Sequence, residues 1–300
     1  AMKSPRQSRP DGGCLYLVAT PIGHLEDITL RALRVLKEVD LIACEDTRQT
    51  RKLLTHYGIR QRLVSYHEHN EITRAAELIL DLEQGAQIAL VSDAGMPLIS
   101  DPGHHLLAMC RRHRIPVVPI PGPTAVVAAL AASGLPTDHF LFRGFLPAKA
   151  GERRRALVEL AALGRQAGTL VFYEAPHRLL QTLSDMAAIL GHRQAVVARE
   201  VTKVHEEFLG GSLEEILVHF EKHPPRGEIT LLVAPPAGNG EERAHSADYS
   251  TAVAALPLPV RVQQLMREQQ LDRKAALKQA ARERGLSRRE AYKQLLMSRD

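Results

Sequence analysis

LVSDAGMPLISDPG, residues 90–103, is the stretch of this sequence from which a fold can be argued. It follows a short apolar run, residues 86–91, which is typical of a buried strand. Asp, Gly and Pro then fill the chain, and after Gly103 apolar residues return at helical spacing. A strand, a loop and a helix in this order place the loop at the carboxyl end of a sheet, where open α/β sheets bind ligands. The loop's two carboxylates suit a hydroxylated or cationic ligand, although an ordinary turn capped by Asp explains the same residues.

The alternation of strand and helix extends in both directions from this loop. We predict that helices connect successive strands at residues 15–19, 41–44, 63–66, 86–91 and 116–120. Short connections favour a mostly parallel sheet between helices, over residues 14–134. A second α/β unit of less regular order is predicted over residues 135–236, and its first strand carries Phe140, Phe142 and Phe145 on one side.

The two ends of the chain differ in composition from these units. Residues 1–13 are polar and rich in Pro, Gly and Arg, and residues 237–256 are rich in Gly, Glu and Ala, so we expect a disordered tail and a linker. Residues 257–300 contain eleven Lys and Arg against five Asp and Glu, a net charge of +6, whereas the rest of the chain carries −1. This concentration of charge favours a polyanionic partner.

Two short helices are predicted in residues 257–300. Gly285 suits the end of one, and the capping box at residues 287–290 begins the next, so the pair resembles a helix-turn-helix. A solvated helical hairpin, packed on the body or on a dimer partner, explains the same pattern.

Several classes of protein are excluded by what the sequence lacks. It has no apolar run of membrane-spanning length and no signal peptide. Cys14, Cys44 and Cys110 are few and widely spaced, which fits a reducing cytosol and a cytoplasmic protein. P-loop, dinucleotide-binding and nucleophile-elbow motifs are missing. A lone His-x-His at residues 67–69 is more typical of packing than of a metal site, so we expect no metal.

An ordered series of motifs runs through both predicted units. In the first unit the motifs are LYLVATPIGHLEDIT at 15–29, CEDTR at 44–48, SDAGMPLISDPG at 92–103 and PIPGP at 119–123. In the second unit they are GFLPAK at 144–149, FYEAPHRL at 172–179 and AREVTK at 198–203. In this order the motifs resemble those of the tetrapyrrole methylase superfamily. Within the superfamily they resemble the bacterial methyltransferases that 2′-O-methylate a cytidine in the decoding region of small-subunit (16S) ribosomal RNA. His24 and Met96 stand where Asn and Thr are usual.

The resemblance implies two α/β domains of tetrapyrrole-methylase type, with S-adenosylmethionine (SAM) in the cleft between them, and a small helical C-terminal module. Carboxylates and carbonyls near residue 93 suit the sulfonium cation, and the helix start after residue 121 suits the carboxylate of the methionine moiety. The cofactor-binding residues expected are Pro21, Gly23, Asp93, Ala94, Gly95, Pro121, Gly122, Thr124, Ala125, Tyr173, Ala198, Glu228 and Thr230.

Methyl transfer to a ribose hydroxyl needs in-line positioning and removal of the hydroxyl proton. Glu45, Asp46 and Glu200 are assigned as catalytic from a wider set of candidate bases that also includes His67, Asp101, Glu174 and Lys203. Basic side chains expected to contact RNA are Arg48, Lys149, Arg153, Arg178, Arg199, Arg284, Arg288, Arg289 and Lys293. For Arg48, Arg178 and Arg199, pairing with neighbouring carboxylates is the alternative.

The expected partners are the 30S subunit or its ribosomal RNA and, from the resemblance alone, a second copy in a homodimer. Two other functions stay open from the sequence. A methylase of a small tetrapyrrole-like molecule is compatible with the same fold but has no need of a basic tail. A non-catalytic nucleic-acid-binding regulator would use the tail and merely sense SAM.

Overall fold

The computed structural model describes residues 12–237, 275–277 and 281. Most of the predicted N-terminal tail, of the linker and of the basic module, including Arg284, Arg288, Arg289 and Lys293, lies outside these residues. Residues 275–277 and 281 are helical, and Leu277 and Ala281 are buried. The described residues up to Pro236 belong to one compact unit.

The first half of this unit contains one parallel sheet. Its strands are β1 (Cys14–Val18), β2 (Leu41–Cys44), β3 (Leu63–Ser65), β4 (Gln87–Val91) and β5 (Val117–Ile120). Its helices are α1 (Leu30–Glu38), α2 (Thr47–His56), α3 (Glu71–Glu83), α4 (His104–Arg112) and α5 (Ala125–Ala132). The strand order is β3-β2-β4-β1-β5, and every neighbouring pair is parallel. The predicted parallel α/β sheet is therefore confirmed.

Both faces of this sheet are buried, which explains why its strands are short apolar runs without polar alternation. Successive residues of β4 point to opposite faces. Ile88 and Leu90 pack in a core with α3 and α4, whereas Ala89 and Val91 pack in a core with α1. Strands β1 and β4 are neighbours, but the chain continues from β1 to β2 in one direction across the sheet and from β4 to β5 in the other. Ligands of open α/β sheets bind where the strand order reverses in this way.

The second half contains a mixed sheet, consistent with the less regular order expected. Its strands are β6 (Phe140–Phe145), β7 (Thr169–Glu174), β8 (Gln194–Arg199), β9 (Glu207–Ser212) and β10 (Ile229–Val233). Its helices are α6 (Ala150–Ala162), α7 (Leu179–Leu190) and α8 (Leu213–Lys222). The order is β6-β7-β10-β8-β9, in which β6 and β7 are parallel and the other pairs antiparallel.

Helix α5 connects the two sheets. One face of the second sheet is covered by α6, α7 and α8. On the other face, Val126, Ala129 and Leu130 of α5 pack against Val171 and Val196. Because α5 begins directly after the first sheet and packs on the second, it brings the end of β5 close to strands β7 and β10.

Two local features differ from the sequence-based expectation. Apolar residues at helical spacing after Asp27 predict a helix from about that residue, but α1 begins at Leu30, because the Thr29 hydroxyl caps it by accepting the Ala32 N–H at 3.1 Å. Residues Leu25–Asp27 form a separate 3-10 helix. Strand β6 does not alternate regularly, since its pairing with β7 shifts between Phe142 and Phe145. Among the described residues no helix combines the length and hydropathy needed to cross a membrane.

Candidate active site

A cavity of about 370 Å³ lies where loops after β4 and β5 meet the ends of β7 and β10. This volume is within the range of small-molecule sites in proteins, roughly 300–1,000 Å³. Eight of the thirteen predicted cofactor-binding residues line it, namely Asp93, Ala94, Gly95, Thr124, Ala125, Tyr173, Glu228 and Thr230. The predicted cleft residues of both halves of the chain are therefore brought together at one place.

The loops after β1 and β4 are joined by a short antiparallel bridge. The Thr20 N–H donates to the Gly95 carbonyl at 2.9 Å, and the Gly95 N–H donates back to the Thr20 carbonyl at 3.0 Å. The Thr20 hydroxyl also donates to the Ser92 carbonyl, at 3.1 Å. These bonds hold the backbone of residues 92–95 against the first strand, so the cavity wall there is fixed by the backbone.

The other five predicted residues, Pro21, Gly23, Pro121, Gly122 and Ala198, are not among those that line the cavity. The two glycines allow close backbone approaches beside it. A Cβ on Gly122 would lie 2.7 Å from the Cβ of Ala19, and a Cβ on Gly23 would lie 2.5 Å from Cγ of Lys203. These residues therefore shape the loops around the cavity without forming its wall.

The loop after Gly95 has an unusual backbone. Leu98 and Ser100 adopt φ values of +71° and +65°, which side-chain-bearing residues rarely adopt. Gly144 of β6 also has a positive φ, and a Cβ there would lie 3.2 Å from Oγ of Ser100. Strained backbone of this kind concentrates at functional sites, and here it leads into Asp101.

Three carboxylates lie in the loops after the neighbouring strands β2 and β4 and interact through their charges. Glu45 follows β2, and Asp93 and Asp101 follow β4. Asp93 and Asp101 line the cavity. Burial, and then the negative charges of Glu45 and Asp93, raise the pKa of Asp101 to about 6. The pKa of Glu45 is likewise raised by burial and then by Asp93. A cation placed among these groups would be stabilised, and Asp101 would accept a proton near neutral pH.

Asp46 and Glu200, two of the three predicted catalytic residues, are held by other groups of the protein. Asp46 accepts the Arg48 backbone N–H at 2.8 Å and pairs with the Arg48 guanidinium at 2.8 Å, and these hydrogen bonds lower its pKa to about 2. Glu200 accepts the Glu228 N–H at 2.8 Å and the Lys203 ammonium at 2.9 Å, which hold its pKa below the usual range. Both carboxylates are thereby made weak bases, and neither they nor Glu45 belong to the cavity lining.

Each predicted RNA-contacting cation within the described residues pairs with a carboxylate of the protein. Arg48 and Lys149 form exposed pairs with Asp46 and Glu152, and their side chains remain 86% and 82% exposed. The other three are less accessible: the pairs are Arg153 with Asp185, Arg178 with Glu174, and Arg199 with Glu207.

Arg153 requires a correction. Its side chain is 3% exposed and forms a 2.7 Å ion pair with Asp185, which is also buried. Its guanidinium further donates to the Ala148 carbonyl at 3.1 Å. A guanidinium that is enclosed and saturated in this way cannot reach an RNA phosphate, so the predicted contact is wrong for this residue.

Sequence reasoning missed the apolar part of the cavity. Ile22, Ile99, Phe145 and Val201 contribute to its wall, and in the sequence they look like ordinary core residues. Met96, which departs from the family pattern, also lines it. Within the part of the chain that the structure describes, no three His, Cys, Asp or Glu side chains are grouped as metal ligands.

Comparison with known proteins agrees with this arrangement. The model of the family Tetrapyrrole (Corrin/Porphyrin) Methylases matches residues 14–217. The Ribosomal RNA small subunit methyltransferase I of Halalkalibacterium halodurans is 56% identical over 79% of this chain and 80% of that protein. The protein of the same name from Escherichia coli O157:H7 is 48% identical over 87% of this chain and 91% of that protein.

Solved structures share the fold at lower identity. Uroporphyrin-III C-methyltransferase from Thermus thermophilus, complexed with S-adenyl homocysteine, aligns with a TM-score of 0.52 and 22% identity over 73% of this chain and 97% of that chain. Cobalt precorrin-4 methyltransferase aligns with a TM-score of 0.55 and 16% identity over 74% of this chain and 94% of that chain. The family model covers more than half of the sequence, and two relatives are about half identical over most of it, so the chain belongs to the tetrapyrrole methylase family.

Proposed function

We propose that this protein is a SAM-dependent methyltransferase of small-subunit ribosomal RNA, and that it methylates the ribose 2′-oxygen of a cytidine in the decoding region. The observation that carries the proposal is the cavity with Asp93 and Asp101 in its wall, in a chain about half identical to relatives named for methylation of that RNA. A methylase of a small tetrapyrrole-like molecule is the second candidate, supported by the fold alone.

The chemistry of the cavity wall fits each part of SAM. Thr124 begins α5 without a side-chain cap, and the start of a helix suits a carboxylate such as that of the methionine moiety. Asp93 and Asp101 favour a cation between the loops. Apolar groups such as Ile22 and Ile229, with the hydroxyl of Thr230, suit the adenosine. When bound, SAM supplies a methyl group on a positively charged sulfur.

Asp101 is the best candidate for the proton acceptor, in place of Glu45, Asp46 and Glu200. It lines the cavity, and its pKa near 6 leaves it deprotonated at neutral pH yet basic enough to take a proton. General bases are most effective when their pKa is near the working pH, and they contribute roughly 10²–10⁴-fold. Alignment of the hydroxyl with the methyl group supplies the larger part of the acceleration.

RNA phosphates are held by exposed cations. Arg48 and Lys149 form surface ion pairs, which are worth about 0–1 kcal/mol and are readily exchanged for phosphate contacts. Arg178 and Arg199 are partly exposed and act mainly by positioning Glu174 and Glu207. Four residues of the basic module complete the RNA-binding set: Arg284, Arg288, Arg289 and Lys293.

We further propose where the protein acts and how it assembles. The protein works in the cytoplasm, where small ribosomal subunits are assembled, and it acts as a homodimer. The homodimer rests on the resemblance alone, and the place of action rests on the ribosomal RNA substrate and on the few, widely spaced cysteines. Two methylase domains, residues 14–134 and 135–236, form its compact unit. The linker at 237–256 and the basic module at 257–300 follow this unit in the chain.

Competing acceptors test the proposed substrate. Purified protein is incubated with tritiated SAM and equal amounts of 30S subunits, naked ribosomal RNA and uroporphyrinogen. The subunits and the RNA come from cells that lack the ribose methyl group on the target cytidine. We expect label in the 30S subunit or its RNA and none in the tetrapyrrole. Label in uroporphyrinogen alone would establish the second candidate and overturn the first.

A further inference from the structure

An apolar surface remains exposed at the cavity. Phe145 lines the cavity although 53% of its surface is exposed, and Ile99 lines it with 43% exposed. They come from different sheets, because Phe145 ends β6 and Ile99 belongs to the loop after β4. Large apolar side chains that stay exposed beside a cavity are typical of a binding surface.

The backbone of β6 gives Phe145 its place. Pairing with β7 shifts between Phe142 and Phe145, and Gly144 within this bulge has a φ of +63°. A bulge of this kind changes the direction of the side chains that follow it and is frequent beside active sites. The ring is supported on one side by Tyr173, at 5.7 Å between ring centroids, and Tyr173 in turn contacts Phe142 at 5.0 Å.

We propose that Phe145, together with Ile99, is the platform on which the base of the target nucleotide stacks while its ribose enters the cavity. This inference rests on the proposed function, since it assumes that the methyl acceptor is a nucleotide of RNA. It assigns to these two residues a task separate from SAM binding and from proton transfer.

The connectivity of a nucleotide supports this assignment. The base is attached to the ribose carbon next to the one that carries the 2′-hydroxyl, so a hydroxyl beside Asp101 keeps its base at the rim of the cavity. For the ribose to enter the cavity, the nucleotide has to leave the stack that it forms with its neighbours. Enzymes that extrude a nucleotide compensate the lost stacking with aromatic or apolar side chains.

Basic residues that follow residues of the cavity wall in sequence favour a nucleic acid over an apolar partner. Lys149 follows it in the next loop, with 82% of its side chain exposed. His177, which is exposed, follows Pro176 of the cavity wall. An aromatic face accompanied by exposed basic groups is the combination with which proteins bind single-stranded nucleic acid.

The test separates RNA binding from SAM binding and from turnover. The probe is a decoding-region RNA with a fluorescent cytidine analogue at the position that the wild-type protein methylates, titrated in the presence of S-adenosylhomocysteine so that no transfer occurs. Phe145→Ala is compared with Phe145→Tyr, which keeps an aromatic ring. The matched control is Phe140→Ala, because Phe140 is also on β6 and 42% exposed but does not line the cavity.

We expect Phe145→Ala to weaken RNA binding roughly 5- to 150-fold, the factor that corresponds to the loss of one stacked base, and to abolish the fluorescence change. Phe145→Tyr and Phe140→Ala should stay within about twofold of wild type. The SAM dissociation constant from calorimetry should be unchanged in all variants, and their circular dichroism should match wild type.

Three results would overturn the proposal. If Phe145→Ala and Phe140→Ala bind the RNA equally well, no base stacks on Phe145. If Phe145→Ala weakens SAM binding as much as RNA binding, the ring belongs to the cofactor wall. If it dissociates a dimer while RNA affinity is kept, the ring lies between two copies. Failure of the proposed function is distinguishable, because wild type itself would then neither methylate nor bind the RNA.

Discussion

Thr20 and Gly95 exchange two backbone hydrogen bonds, of 2.9 and 3.0 Å, and thereby join the loop after β1 to the loop after β4. Gly95 has a φ of +81°, in the left-handed region that favours glycine. Since Asp93 and Ala94 directly precede this bridge, the position of the polar cavity wall depends on a residue that has no side chain.

The first prediction concerns Gly95→Val. A β-branched side chain is strained at this φ, and its Cβ would lie 3.4 Å from Cγ2 of Ile22, so the bridge and the wall should be displaced. We expect the SAM affinity measured by calorimetry to fall about tenfold or more. Gly85→Val is the matched control, because Gly85 has a φ of +98° but a Cβ added there would meet no atom within 4 Å. Equal SAM affinity in the two folded variants would contradict the assignment of the wall.

The second prediction concerns the proton acceptor. Because the pKa of Asp101 is raised to about 6, the competent, deprotonated form grows as the pH rises through 6. The methyl-transfer rate of wild type in single turnover should therefore increase through this range and then level off. Because the SAM cation stabilises the deprotonated carboxylate, the pH at which the rate is half its plateau should be lower in the complex with SAM. Asp101→Asn should lower the rate roughly 10²–10⁴-fold. It should also remove the increase of the rate between pH 5 and 7, which is the acid limb of the pH profile.

Asp46→Asn provides the comparison for that experiment. The pKa of Asp46 is lowered to about 2, so its charge does not change between pH 5 and 8. The variant should keep the acid limb of the pH profile. An acid limb that persists in Asp101→Asn and disappears in Asp46→Asn would return the catalytic role to Asp46.

The third prediction separates structural from RNA-binding arginines. Arg153→Gln leaves the buried Asp185 with only Arg154, whose side chain is 64% exposed. Breaking a buried pair from one side costs about 3–5 kcal/mol, so the free energy of unfolding in urea should fall by an amount of that order. Lys149→Gln, which breaks an exposed pair, should cost less than about 1 kcal/mol. A stable Arg153→Gln protein with weakened RNA binding would show that Arg153 contacts RNA after all.

The fourth prediction concerns the basic module. Phosphate contacts release counterions, so the logarithm of RNA affinity should fall with the logarithm of salt concentration by about 0.7–0.9 per contact. Replacing Arg284, Arg288, Arg289 and Lys293 by Gln should weaken RNA binding and flatten this dependence, without changing the SAM dissociation constant. An unchanged salt dependence and unchanged RNA methylation would make the module an element of packing or dimerisation.

The first sheet could be predicted from sequence because its elements carry local signals. Apolar spacing and the residues that precede each helix predict helices over about residues 47–56 and 71–83, and α2 and α3 have these bounds in the structure. Asp46 caps α2 through its side chain, and the strands are apolar on both faces. These signals act within a few residues and do not depend on the rest of the fold.

Other elements were not predictable because contacts distant in sequence determine them. Strand β9 contains Gly210 and Gly211, which disfavour a strand, but pairing along the whole of β8 stabilises it. Likewise, the loop motifs indicated Asp93 and Gly95, whereas Phe145 and Ile99 became part of the cavity only through the packing of one sheet against the other by α5.

The identity of the methylated atom is the most direct test of methyl transfer to a ribose in this cavity. Unmodified 30S subunits are treated with wild-type protein and SAM, and the RNA is digested to nucleosides for mass spectrometry, with Asp101→Asn as the inactive comparison. We predict 2′-O-methylcytidine from a single decoding-region position with wild type, and little or none with the variant. A methyl group on the base, or none in the RNA while SAM is consumed on another acceptor, would contradict the proposed reaction.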